Sequence, residues 1–425
     1  MDVTVQIFCG SFSGAPVPFE LIEQKLNSLL TRFRIRKVIM GWSTDKGLYE
    51  KTAELLSKNN IEFYLWFPVF SETGMLTDLS PLVDYSGKNI EKNGEYQESH
   101  QIFPGSLSEE DFFFCCPNNG ANIKKIIDIY KKYFSSIRFN GVFLDKIRYP
   151  SFSGSHGNRS VFSCFCPECM EIYKKENFDI NKLKSHLYDQ DASLLSISKY
   201  SGGGKYIFQN KVMSSFFQIK KNIIYYSLQK ICMYFREKKL GIGFDVFAPF
   251  LSPFTGQDLK KLSGLCDFIK PMMYRMTNAP AGLPFETDAL LQFTCSADPL
   301  VYQYFYKLLG IKTELLPLEK DIPLTDGVLP VTGAHDIKLK SNVIKNIPFD
   351  LDFSVRELQD LTLDSFCPVY AGIEINRIKD IAETDPPYIE ETIRAFSKTG
   401  VRGFVLSWNL LDMPEENIAK AAELI

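Results

Sequence analysis

The chain has 425 residues, 45% of them hydrophobic, enough for one large barrel with insertions or for two or three average domains. Its 48 basic and 51 acidic side chains leave a net charge of −3, so no polyanion-binding surface and no nucleic-acid partner are implied. No apolar run reaches the roughly 18 residues of a membrane span. The opening Met1-Asp2-Val3-Thr4-Val5 lacks the basic and apolar regions of a signal peptide. A soluble, cytoplasmic chain without a membrane partner is therefore expected. The ten cysteines, with Cys115-Cys116 adjacent, suit a reducing compartment.

In chain order, Val3–Cys9 reads as a first strand, and Pro18–Phe33 carries apolar residues at a helical period. Lys37–Trp42 is a second strand, and Ser43-Thr44-Asp45 caps a helix from Lys46 to Ser57. Ile61–Phe67 is a third. Residues 71–119 show no period and read as a long functional loop. Ala121–Phe134 is helical and leads into a fourth strand at Gly141. Residues 151–205 form an insertion with clustered cysteines, and Tyr206–Lys238 reads as an aromatic-rich helix. Leu240–Phe247 is a fifth strand, Gly256–Leu265 a short helix and Asp267–Tyr274 a sixth strand. Residues 276–366 form a second insertion, with helices near Thr287–Leu309 and Ser354–Leu363. Pro368–Ile375 is a seventh strand, Pro387–Ser397 a helix closed by Gly400, Gly403–Trp408 an eighth strand and Pro414–Leu424 a last helix.

Strands alternating with helices in this way predict an α/β chain: a single (β/α)₈ TIM barrel over residues 1–425, with long loop insertions after strands 3, 4 and 6. The alternative is an open doubly wound sheet. Against it, Gly10-Ser11-Phe12-Ser13-Gly14 after the first strand fits neither GxGxxG nor a Walker loop.

In a barrel the C-terminal ends of the strands meet at one mouth. Asp145 ends strand four, Asp245 lies near the end of strand five, and Glu374 belongs to strand seven. Lys270 and Tyr274 belong to strand six, and Arg148 follows Asp145 in the loop. All three tryptophans, Trp42, Trp66 and Trp408, end strands. Paired carboxylates with aromatic walls suit glycoside hydrolysis. One carboxylic acid protonates the leaving oxygen while a second carboxylate attacks the sugar or activates water. Arg148 and Lys270 are placed to hold one carboxylate ionised, and the tryptophan faces suit stacking on sugar rings. Each acid alone has a plainer reading, as a helix cap or a buried ion pair.

The run Gly141-Val142-Phe143-Leu144-Asp145-Lys146-Ile147-Arg148-Tyr149-Pro150 resembles the strand-four motif G-hydrophobic-x-L-D-x-x-R-[FY]-P of glycoside-hydrolase-like barrel proteins. Phe268–Tyr274 and Gly403–Asn409 resemble their strand-six and strand-eight segments. The resemblance covers most of the barrel and implies the fold and the class of reaction. The roles of the acids stay open. An α-amylase-like arrangement would make Asp145 the nucleophile, Asp245 the acid/base and Glu374 a stabiliser. Here, however, Phe143 stands where an arginine is usual, and strand five offers Asp in place of Glu. The other retaining arrangement would make Asp145 the acid/base and Glu374 the nucleophile, but the usual Asn-Glu pair is missing. Asp145 and Glu374 are expected to be indispensable, with Asp245 third.

Cys164-Phe165-Cys166-Pro167-Glu168-Cys169 has the spacing of a metal knuckle. Cys116, Cys115 or His156 could complete a structural Zn²⁺ site; the plainer reading is a set of free thiols. Lys220-Lys221 and Arg236–Lys239 read as solvated helix faces, and His100, His186 and His335 show no partner in the sequence. The leading expectation is an intracellular glycosidase with a carbohydrate substrate and no organic cofactor. The alternatives are a saccharide-binding barrel without catalysis, or a metal-dependent hydrolase of a non-sugar substrate.

Overall fold

A computed structural model describes residues 1–10, 12, 17–71, 73, 76–90, 113–153, 158–188, 197–295, 305–311 and 348–425. Among the described residues, eight parallel strands form one sheet. They are β1 (Asp2–Phe8), β2 (Ile35–Gly41), β3 (Glu62–Pro68), β4 (Gly141–Asp145), β5 (Gly241–Val246), β6 (Phe268–Pro271), β7 (Tyr370–Glu374) and β8 (Gly403–Ser407). Pairing runs from β1 through β2, β3, β4 and β5 to β6, and on the other side from β1 through β8 to β7. Parallel bridges Ile269–Val369 and Met272–Gly372 join β6 to β7 and close the cylinder. The barrel expected from the alternation is thus the fold.

The principal helices are α1 (Phe19–Leu30), α2 (Lys46–Lys58), α3 (Gly120–Tyr133), α4 (Lys211–Glu237), α5 (Leu259–Ser263), α6 (Leu351–Asp364), α7 (Pro386–Phe396) and α8 (Glu415–Leu424). Asp45 caps α2 as expected, its Oδ1 accepting from Leu48 N at 3.0 Å. One expected helix starts later than its composition suggested. Tyr206–Phe208 is instead a strand, paired antiparallel with Ile197–Tyr200. Asn210 then caps α4 by accepting from Val212 N at 3.0 Å, and this cap sets where the helix begins. The helix expected at Thr287–Leu309 begins earlier, at Leu283, and is described to Cys295; residues 296–304 lie outside the described set, as do His100, His156 and His335.

Side chains alternate between the two faces of the barrel wall. Val3, Val5 and Ile7 face the helices and join the large outer core with Ile22, Leu26 and Leu29. A separate cluster of Ile39, Trp42, Tyr64, Trp66, Phe143, Phe268, Tyr370 and Val405 fills the barrel. Gly141 and Gly241 make room for Tyr64, because a Cβ on the first would lie 2.3 Å from its ring and one on the second 2.6 Å from its hydroxyl oxygen. The lower barrel is therefore aromatic, with Lys37 Nζ 5.4 Å from both the Phe268 and Tyr370 rings. The same inward parity continues upward to Gln6, Asp145, Asp245, Lys270, Glu374 and Ser407, and so a polar layer sits on an apolar floor.

Candidate functional site

The polar layer centres on Lys270, which is fully buried. Its Nζ donates to Asp245 Oδ2 at 3.0 Å, to Gln6 Oε1 at 3.0 Å and to the Tyr274 hydroxyl at 2.5 Å. Three donors thus meet three acceptors. Gly372 allows this, since a Cβ there would lie 2.3 Å from Lys270 Cε. Ser407 Oγ donates to Gln6 Oε1 at 2.7 Å, so β1, β5, β6 and β8 are joined through one side-chain network. Removal from water pushes the Asp245 carboxyl up to about 7, against the pull of Lys270, and the nearby charge of Asp145 adds to the push. The same removal from water lowers the Lys270 ammonium, with Asp245 opposing.

Asp145 is close enough to be felt by Asp245 but differs in its partners. Trp66 Nε1 donates to its Oδ2 at 2.9 Å, and the Lys146 backbone N–H donates to its Oδ1 at 2.5 Å. It is also the more exposed of the two acids, at 8% against 2%. Lys146 holds a left-handed backbone with φ 51°, and Trp42, at the end of β2, has φ 71°. Such conformations cost of order 1–3 kcal/mol for residues other than glycine and concentrate at functional sites. The two strained positions meet: Lys146 Nζ lies 5.4 Å from the Trp42 ring. Trp42 packs edge-on against Trp66 at 6.0 Å and stacks on Phe12 at 6.0 Å.

Glu374 is fully buried, with its Oε1 accepting from Met276 N at 2.5 Å. Burial pushes its carboxyl up to about 7, while Met276 N–H, Tyr388 and Arg275 pull it down. It therefore sits against α7 and the loop after β6, whereas Asp245 belongs to the Lys270 network and Asp145 acts on both through its charge. Arg275 is anchored there by Phe349 O at 2.9 Å and Thr392 Oγ1 at 2.9 Å. Arg148 lies 4.2 Å from the Phe247 ring and donates to Tyr149 O at 3.0 Å, forming part of the wall beside Asp145. Trp408 is half-buried and packs beside Ala279, Ile381 and Ala382. The indole N–H groups of Trp42 and Trp408, like Asp245 Oδ1 and Glu374 Oε2, are buried without a hydrogen-bond partner among the described residues. Buried polar atoms of this kind call for a ligand or water.

Gln6 and Ser407 were not singled out in the sequence. Their signal was available in the period-two alternation, which gives them the parity of Asp245 and Lys270.

Beside the barrel, Cys116, Cys164, Cys166 and Cys169 bring their four sulfurs within 4.8 Å of one another, all buried. Cys116 Sγ lies 3.5 Å from Cys166 Sγ and 3.6 Å from Cys169 Sγ. Val83 N donates to Cys164 Sγ at 3.3 Å. Tetrahedral metal–thiolate bonds of about 2.3 Å place sulfurs about 3.8 Å apart, so the group could hold a metal ion. The fourth sulfur is that of Cys116; the Cys115 backbone N–H pairs with Phe70 O at 2.9 Å.

No protein-family model matches the chain. No curated protein matches it. Among solved structures, it is similar to the PgaB (BpsB) glycoside hydrolase domain of Bordetella bronchiseptica, at 11% identity over 99% of this chain and 96% of that one, with a TM-score of 0.49. It is also similar to a Group IV chitinase of Ostrinia furnacalis (9% identity, 100% and 99% covered, TM-score 0.43). A third is a glycoside hydrolase family 18 N-acetylglucosaminidase of Paenibacillus barengoltzii (9%, 100% and 99%, 0.41). The barrel assignment itself follows from the strand pairing of this chain. No helix among the described residues is long and apolar enough to cross a membrane.

Proposed function

We propose that the chain is a glycoside hydrolase acting on an O-glycosidic bond at the mouth of its barrel. One observation carries this reading: two carboxylates on neighbouring strands, near enough for the charge of one to act on the other, stand in unequal surroundings. Asp245 is buried against Lys270 and raised to about 7, so it retains a proton near neutrality. It is the general acid, and its unpartnered Oδ1 is the atom from which the proton leaves. Asp145, nearer the opening and held by Trp66 and the Lys146 amide, attacks the anomeric carbon or activates water. Glu374 is a third acid that orders the loop after β6 through Met276. Trp42, Trp66, Trp408, Arg148 and Tyr274 form the substrate wall, with the free indole N–H groups available to sugar oxygens.

The four cysteines hold a structural Zn²⁺ in this reading, pinning the 158–188 segment to the barrel through Cys116. A reduced, cytoplasmic setting belongs to the same proposal, since thiolate ligands persist where thiols stay reduced. A panel of aryl glycosides and oligosaccharides, offered to wild type and Asp145→Asn, tests the reaction. Hydrolysis by wild type that falls by about 10³-fold in Asp145→Asn is expected. Binding of an oligosaccharide without turnover in either protein would instead make the barrel a lectin-like receptor.

A further inference from the structure

Lys220 was read from the sequence as part of a solvated helix face, and the structure corrects this. It is fully buried, because Phe216 and Ile224 lie one turn either side of it on the buried stripe of α4. Its Nζ donates to Val161 O at 2.5 Å and lies 4.0 Å from the Tyr149 ring and 5.3 Å from the Phe216 ring. Lys270, equally buried, has a carboxylate at 3.0 Å. Burial pushes the Lys220 ammonium down to about 7, with Cys164 and Cys169 opposing. A buried ammonium without a counter-charge costs several kcal/mol. With neutral thiols, only the Val161 carbonyl and the two aromatic faces would offset that cost.

We propose that Lys220 is the counter-charge of a tetrathiolate metal centre, and that Tyr149 links this centre to the loop leaving Asp145. The inference rests on the zinc reading above. A divalent ion bound by four thiolates carries a net charge of about −2, and burying that charge is costly unless a cation stands nearby. Lys220 supplies the cation from α4. Tyr149, four residues after Asp145, is buried with its ring against the ammonium and its hydroxyl without a hydrogen-bond partner among the described residues. Its backbone N–H is fixed by Thr255 O at 2.9 Å. Lysine, tyrosine and the β4 loop thus pack together, and the Val161 carbonyl ties them to the segment that leads into Cys164. Lys220 is a positioning residue for the metal, not a ligand.

The test uses the full chain and Zn²⁺ itself. Metal content by atomic emission is measured first; one equivalent of zinc in wild type is expected, and none would remove the zinc reading and this inference with it. With zinc present, chelator competition then compares wild type, Lys220→Met and Lys220→Gln. Both variants are expected to bind Zn²⁺ about 10–100-fold more weakly, the range seen when a group supporting metal ligands is removed. The metal-free form of Lys220→Met should be as resistant to urea as metal-free wild type, or more so, because the uncompensated cation is gone. A merely structural lysine would weaken the metal-free form as well. Lys220→Gln keeps a donor for Val161 O while dropping the charge, so it separates charge from packing. Wild-type affinity for zinc in both variants would overturn the proposal while leaving the zinc reading intact.

Discussion

The barrel mouth and the cysteine cluster solve the same problem with opposite sequence geometry. Each buries a lysine. At the mouth, Lys270 is answered by Asp245, Gln6 and Tyr274, from three separate parts of the chain. In the cluster, three of the four sulfurs come from Cys164 to Cys169, and the lysine arrives from α4. The first site exists only once the barrel closes, whereas the second is half-assembled by its local sequence. Charge at the mouth is therefore coupled to global folding, and charge in the cluster, on the zinc reading proposed above, to a metal.

That contrast breaks most visibly if the lysines are removed one at a time. At about pH 9, above the raised value of Asp245, Lys270→Met leaves an ionised Asp245 buried without its cation, which should cost about 3–5 kcal/mol in urea unfolding. The metal-free Lys220→Met protein should show no such loss. Equal destabilisation by both substitutions would mean that the two lysines do the same job.

Another buried acid sharpens the comparison. Glu357 on α6 accepts from the Tyr200 hydroxyl and from Gly203 N at 3.3 Å, and its other oxygen has no partner among the described residues. Burial raises its carboxyl to about 7, with the Tyr200 and Gly203 hydrogen bonds opposing. The folded value lies above the unfolded one, so the folded chain binds more protons between about 4.5 and 7. Stability from this group is present at the acid end of that window and is lost as pH rises through 7. Glu357→Gln keeps an acceptor oxygen and removes the titration. It should flatten the pH dependence of unfolding free energy by up to about 3 kcal/mol over that interval. An unchanged slope would place the acid in a wetter setting.

The smallest effect expected is at Trp66. Trp66→Phe removes the N–H donated to Asp145 Oδ2 and trims the indole to a phenyl ring that can keep the edge contact with Trp42. A hydrogen bond to a charged group is worth about 1.5–3 kcal/mol, so kcat/KM should fall by roughly 10–100-fold with the melting temperature little changed. An unaltered rate would separate Trp66 from the chemistry.

Much of this arrangement was legible in the chain. The alternation of strands and helices defined the barrel, and spacing alone pointed to Cys164, Cys166 and Cys169. The parity of Gly141-Phe143-Asp145 and Gly241-Gly243-Asp245 follows from the pleat. Long-range placement was not legible. Nothing near Gln6 in sequence says that it faces Lys270, 264 positions away. Glu374 shares the inward parity, yet the amide of Met276 draws its carboxylate toward the loop after β6, a contact set by loop path and not by strand period. Lys220 was misread because two adjacent lysines suggest a wet surface. The apolar residues spaced around it along α4 already pointed to burial.

The account turns on Asp245 holding a proton near neutrality because burial outweighs Lys270. The most direct measurement is the pH profile of kcat/KM on a cleaved glycoside, for wild type and Asp245→Asn. Wild-type activity should fall as pH rises through about 7, and Asp245→Asn should lose that alkaline limb together with most of its rate. A wild-type profile flat across pH 6 to 8 on the order of a few-fold, or full activity in a folded Asp245→Asn protein, would contradict it.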